Sequence, residues 1–267
     1  MAKSNLIQLL IDRHYKKGYK PSEEQILLKI DGKKIGTRSN IVTLSGLAKA
    51  GKSTFLTSIM ASAYTWDNQV HSISLSPDKD KCNIGYFDTE SSEWDFYNNI
   101  NRVQEQANLP ELPISFNAFS CREDDPETIK KLIVEYLDSY PASVIIIDGV
   151  LDIMMDFNDP MESKKTIQWF KKITKQYNCL LIAVIHLARK ESGLLGHFGS
   201  MLERYSQSVL EVIKDKETKI LELKPKFLRS DADFNTIALD RVNGQLVRCN
   251  PVPDKIVSIA TKKGSNK

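Results

Sequence analysis

Residues Gly46-Leu47-Ala48-Lys49-Ala50-Gly51-Lys52-Ser53 fit G-x-x-x-x-G-K-[ST] at every fixed position, with an apolar run at 41–44 before them and a helical run at 54–64 behind. Glycine at both ends lets successive backbone amides curl around phosphate oxygens, and the helix that follows aims its positive end at the same charge. The stretch Gly46, Leu47, Ala48, Lys49, Ala50, Gly51, Lys52, Ser53 and Thr54 is therefore the expected binding segment for a nucleotide. Lys52 is expected to reach the β and γ phosphates and Ser53 to place its hydroxyl on a magnesium ion. Lys49 occupies a variable position of the pattern and is expected to point to solvent.

That loop demands a strand before it and a helix after it, and the rest of the chain continues the alternation. Buried strands are expected at 41–44, 84–87, 114–119, 144–147 and 180–185, separated by helical patterns, which predicts an α/β fold with a mostly parallel sheet covered by helices on both faces. Ile129, Leu132, Ile133, Tyr136 and Leu137 form one apolar helical stripe, and Ile167, Phe170, Ile173 and Tyr177 another. After Arg204, runs at 209–212, 220–223 and 237–239, then Asn243-Gly244 before Leu246 and Val247, read as consecutive antiparallel strands extending the sheet. Upstream, Asp31-Gly32 between 25–30 and 33–36 is a hairpin signal. The expected division is a helix-and-hairpin extension at 1–39, a core at 40–250 and a tail at 251–267.

With 267 residues, 41% hydrophobic and 27% charged, the chain can bury a full core, and disorder, collagen and coiled coil are disfavoured. The longest apolar runs are strand-sized, so no membrane span is expected, and the first residues do not read as a secretory signal; a cytoplasmic location is the expectation. Four cysteines lie far apart with no C-x-x-C pair, which argues for buried thiols over a zinc site or a disulfide framework. A net charge of +3 is compatible with a polyanionic partner without requiring one.

The run at 144–147 ends in Asp148, a carboxylate placed where ligands of parallel sheets bind and suited to hold the water shell of Mg²⁺. A base to polarise the attacking water is expected at the end of another strand, where Tyr86-Phe87-Asp88-Thr89-Glu90 offers Asp88 and Glu90, with Glu93 close behind. Phe87-Asp88-Thr89-Glu90 resembles RecA and its relatives, in which an apolar pair, Asp, a small residue and the catalytic Glu end the strand after the phosphate-loop helix. The resemblance implies a RecA-like ATPase core, of the RecA and DnaB kind, with Glu90 as the base. His186 stands where those families carry a glutamine that senses the γ-phosphate, and an imidazole can also donate a hydrogen bond there.

The same resemblance implies that Lys224 and Lys226, in Leu221-Glu222-Leu223-Lys224-Pro225-Lys226, reach the ATP of a neighbouring subunit in a homo-oligomer, a hexameric ring or alternatively a filament, with Arg229 in reserve. The segments 152–164 and 193–204 would correspond to DNA-binding loops, giving Arg189, Lys190, His197 and Arg204 as candidate contacts to single-stranded DNA, Lys164 and Lys165 as weaker ones, and Phe198 as the one aromatic for stacking. The compact layout is most similar to RepA-type hexameric helicases of plasmids, and the stretch from Asp148-Gly149 through Asp156-Phe157-Asn158-Asp159 to Gly196-His197-Phe198-Gly199 resembles AAA-family ATPases of Bacteroides mobile elements and phages. A helicase-like DNA motor is the leading expectation; a recombination ATPase and a nucleotide switch that answers to a protein partner remain as alternatives.

Overall fold

The computed structural model describes residues 2–187, 193–243 and 245–253. A helix α1 (Ala2–Arg13) is followed by β1 (Ile26–Ile30) and β2 (Lys33–Thr37), then β3 (Ile41–Gly46), α2 (Lys52–Ser62), β4 (Ile73–Leu75), β5 (Asn83–Asp88) and α3 (Glu93–Ala107). The chain continues through β6 (Phe116–Ser120), α4 (Pro126–Ser139), β7 (Ala142–Asp148), a 3-10 turn at Val150–Ile153, α5 (Pro160–Tyr177), β8 (Leu180–His186) and α6 (Gly196–Tyr205). It ends in β9 (Ser208–Lys214), β10 (Leu221–Leu228), β11 (Ile237–Val242) and β12 (Gln245–Cys249).

Nine strands form one sheet in the order β12-β11-β10-β9-β3-β8-β7-β5-β6, parallel from β9 to β6 and antiparallel from β9 outward through β12. The central strands are apolar on both sides because both sides are covered. Val144, Ile146, Leu180, Ile182 and Val184 join a core with α2 and α3, whereas Ile145, Ile147, Leu181, Ala183 and Ile185 join a core with α4, α5 and α6. The helix after β3 thus lies on one face and the helix after β8 on the other, although β3 and β8 are neighbours. Such a reversal leaves a crevice at the carboxyl ends of the two strands, where open α/β sheets bind their ligands.

The N-terminal hairpin turns at Asp31 and Gly32, both with positive φ (49° and 74°), as a type I′ turn requires. With β4 it makes a small antiparallel sheet whose Leu27, Leu28, Ile30, Ile35, Ile73 and Leu75 are buried in the same core as α2. Among the described residues no helix is long and apolar enough to cross a membrane.

Several expectations are corrected. The run at 114–119 is not a buried strand: Ile114 is 97% exposed, and β6 is the half-buried edge of the sheet. β9 is not simply one of the antiparallel set, since it pairs parallel with β3 and antiparallel with β10. Leu132 drops out of its stripe at 42% exposed, while Ile129, Ile133, Tyr136 and Leu137 are buried. Cys121 and Cys179 are buried, but Cys82 is exposed. The segment 152–164 runs from the end of the 3-10 turn through an irregular stretch at 154–159 into α5, so a loop does lie there, with Asp159 capping the helix and Glu162 accepting from the amides of Met155 and Asp156.

Candidate functional site

β3 is buried along its whole length and delivers Gly46 to the sheet edge, pressed against β9. A Cβ on Gly46 would lie 2.7 Å from the carbonyl oxygen of Val212 and 3.3 Å from Cγ of Lys52. The loop then turns through Lys49 and Gly51, both left-handed (φ 62° and 95°). At Gly51 glycine relieves both the backbone and the contact, since a Cβ there would meet Leu221 at 2.8 Å. α2 begins directly behind with no side-chain cap. A helix N-terminus left without a side-chain acceptor suits an anion. Lys49 is exposed, as expected, although it lines the mouth of the cavity described below.

Lys52 is buried, and its Nζ donates to the carbonyls of Gly46 and Leu47, each at 3.3 Å, and lies 2.9 Å from Nδ1 of His186. Burial lowers the pKa of the ammonium, opposed by the negative charges of Glu90 and Asp148. His186 is the residue paired with Gly46 across β3 and β8, and its Nε2 sits 3.0 and 3.1 Å from the two carboxylate oxygens of Glu90. Burial alone would raise the pKa of Glu90, but His186 and Lys52 together bring it below the ordinary carboxylate value.

The acids divide by environment. Asp88, 1% exposed, accepts from the Tyr86 hydroxyl at 2.7 Å and from the amides of Glu90 and Ser91 at 3.0 and 2.8 Å. Those bonds close the turn after β5, and they commit Asp88 to holding Glu90 in place. Glu90 itself faces the cavity, and Glu93 belongs to the first turn of α3. Asp148 is pushed up to about 7, first by burial and then by the charges of Asp88 and Glu90. Beyond it Gly149 (φ 99°) lets the chain pass beneath Thr89, whose hydroxyl lies 2.8 Å from Asp152.

Lys52, Ser53, Glu90, Asp148 and His186 therefore line one cavity of about 420 Å³, together with Asp95, Asn99 and Arg102 along a single face of α3. A larger groove of about 940 Å³ runs between α4 and α5, and of the expected contact residues only Lys165, one of the weaker DNA candidates, lines it. The donor set is hard oxygen, the kind Mg²⁺ takes, and three carboxylates crowd one edge against the single buried ammonium of Lys52. Among the described residues no three His, Cys, Asp or Glu side chains are grouped to hold a metal. A magnesium ion here would consequently depend on Ser53, on Asp148 through water, and on phosphate oxygens brought by a ligand.

No protein-family model matches the chain, and no curated protein matches it in sequence.

Thr54, Lys224, Lys226, His197 and Arg204 do not line this cavity. Lys224 pairs with the buried Glu222 at 3.0 Å, and Lys226 pairs with Glu203 at 3.3 Å, so both are engaged within their own chain. Thr54 is buried in the first turn of α2. His197 and Arg204 are exposed seven residues apart on α6 and so share one face of it. Phe198 cannot stack bases: it is fully buried and packs edge-on against Phe170. Arg189 and Lys190 lie outside the described residues. Sequence reasoning assigned no role to Tyr86, Thr89, Asp152, Asp95, Asn99 or Arg102. Gly149 directly after Asp148 was the one local sign of the close passage beneath Thr89.

Proposed function

We propose that this protein is a magnesium-dependent ATP hydrolase with a RecA-like core. The observation that carries the reading is the convergence on one cavity, from three separate stretches of chain, of a glycine loop that runs into a helix N-terminus with a buried lysine and a seryl hydroxyl, of a glutamate just beyond one strand and of an aspartate at the end of another. The loop amides and Lys52 would bind the phosphates, with the α2 N-terminus adding its positive end. Ser53 and Asp148 would hold Mg²⁺, which when bound offsets phosphate charge. Glu90 would accept the proton of the attacking water, and its lowered pKa keeps it unprotonated and ready to accept at neutral pH. Asp88 and Tyr86 serve by fixing the turn that carries Glu90.

Titration calorimetry with a non-hydrolysable ATP analogue and Mg²⁺ tests the reading. Heat is expected with the wild type and none with Lys52→Ala; a folded wild type that takes up no analogue refutes it. Resemblance at Lys224 and Lys226 extends the proposal to a homo-oligomeric motor acting on single-stranded DNA. Turnover is then expected to rise with single-stranded DNA at low salt and to lose that rise as salt increases. Indifference to DNA would reject the motor and leave the hydrolase standing.

A further inference from the structure

Lys52, His186 and Glu90 form one continuous chain of hydrogen bonds, and the chemistry of its members determines where each proton sits. An ammonium has three hydrogens to donate and no lone pair. Those of Lys52 point to Gly46, Leu47 and Nδ1 of His186, so Nδ1 must accept. The imidazole is therefore neutral, its proton is on Nε2, and that proton is donated to Glu90.

We infer that His186 is a positioning residue that parks Glu90 while Lys52 is free of phosphate and releases it when phosphate arrives. The inference rests on the reading of Lys52 as a phosphate ligand and Glu90 as the base. In the resting site both oxygens of Glu90 are turned to Nε2. A terminal phosphate is a charged acceptor and outcompetes a neutral ring nitrogen for the lysine hydrogen. Once Lys52 turns to phosphate, Nδ1 loses its donor and only the bond to Glu90 still holds the ring in its bridging pose. Its Nε2–H can then pass to a phosphate oxygen, and Glu90 is left to take the proton of water. The base thereby becomes competent only when the loop is filled, from contacts already present within one chain.

The chain holds four histidines, so ¹⁵N-histidine NMR of the full-length protein can follow His186, its signals identified by their loss in His186→Gln. Nucleotide-free wild type is expected to show protonated Nε2 and unprotonated Nδ1. Lys52→Ala is expected to shift the Nδ1 signal, and Mg²⁺ with the non-hydrolysable analogue to shift it the same way. A protonated Nδ1, or no change on Lys52→Ala, overturns the resting chain without reference to nucleotide. Analogue that binds by calorimetry yet leaves the His186 signals unmoved overturns the release while the hydrolase reading survives. Failure of the analogue to bind removes that reading and the release together.

Kinetics supply the second arm. His186→Ala removes the Nε2–H that passes to the phosphate oxygen in the filled site, and is expected to lower kcat by about tenfold or more with the analogue Kd within about threefold. Glutamine can bridge as imidazole does, accepting from Lys52 through its oxygen and donating to Glu90 through its nitrogen, so His186→Gln is expected to restore kcat to within about threefold of wild type. Equal loss in both variants would overturn the role.

Discussion

Asp88 and Asp148 are direct partners across the neighbouring parallel strands β5 and β7, so their carboxylates end side by side at one edge of the sheet, with the Tyr86 hydroxyl 2.7 Å from one and 3.3 Å from the other. Two buried like charges side by side repel each other. Asp148 yields, its pKa rising from 3.8 to about 7 through burial and the charges of Asp88 and Glu90.

A group whose folded pKa stands above its unfolded value binds its proton more tightly in the folded state, so stability is lost as pH rises from about 4 to about 7 and stays lost above. Asp148→Asn removes that penalty. The variant is expected to exceed wild type in stability at pH 8 by up to ~4 kcal/mol, the gap closing as pH falls toward 4. Urea denaturation of nucleotide-free protein across this range checks the sign; an Asn variant less stable at pH 8 would contradict it.

Lys52 and Glu90 should separate binding from chemistry. Lys52→Ala is expected to abolish the calorimetric signal for nucleotide, whereas Glu90→Gln should retain it and lose turnover by ~10² or more. Equal binding loss in both would argue that Glu90 positions the ligand and is not the base.

Gly149 admits no side chain. At φ 99° a Cβ would stand 2.1 Å from the Thr89 hydroxyl and 2.7 Å from Cγ of Glu90. Gly149→Ala is expected to cost ~2 kcal/mol or more in urea denaturation and to reduce turnover by displacing Glu90. A variant of wild-type stability would show that the turn relaxes freely.

Two adjacent residues of α4 test the packing of that helix. Ile133 is fully buried and Leu132 is 42% exposed. Ile133→Ala is expected to cost ~2–5 kcal/mol and Leu132→Ala under ~1 kcal/mol, read from denaturation midpoints at constant slope. Similar losses at both positions would place Leu132 in a contact beyond this chain.

Lys226 tests assembly. Its partner within the chain is Glu203, at the far end of α6 from the loop edge. If Lys226 acts on a neighbour's nucleotide, Lys226→Ala mixed with wild type is expected to reduce turnover by more than its share of subunits. Activity proportional to the wild-type fraction would reject action between subunits.

The glycine loop between a buried strand and a helix was legible in the sequence because its requirements are local: left-handed backbone at Gly51, an apolar run before it, a helix former after it. So were β7 ending in Asp148, β8 ending in His186 and the hairpin turn at Asp31-Gly32, since each is written in consecutive residues. What lies between strands could not be read that way. Strand order decides that β8 stands between β3 and β7, which brings His186 against both Lys52 and Glu90 from 134 and 96 residues away. The resemblance already favoured Glu90 over Asp88, but only the fold shows that Asp88 is spent on Tyr86 and two amides while Glu90 faces the cavity. Local sequence thus determined which chemical groups stand at strand ends, since periodicity and turn chemistry act over a few residues. Tertiary structure alone decided which of them meet, because hydrogen bonds and like-charge repulsion act across whichever strands the sheet makes neighbours.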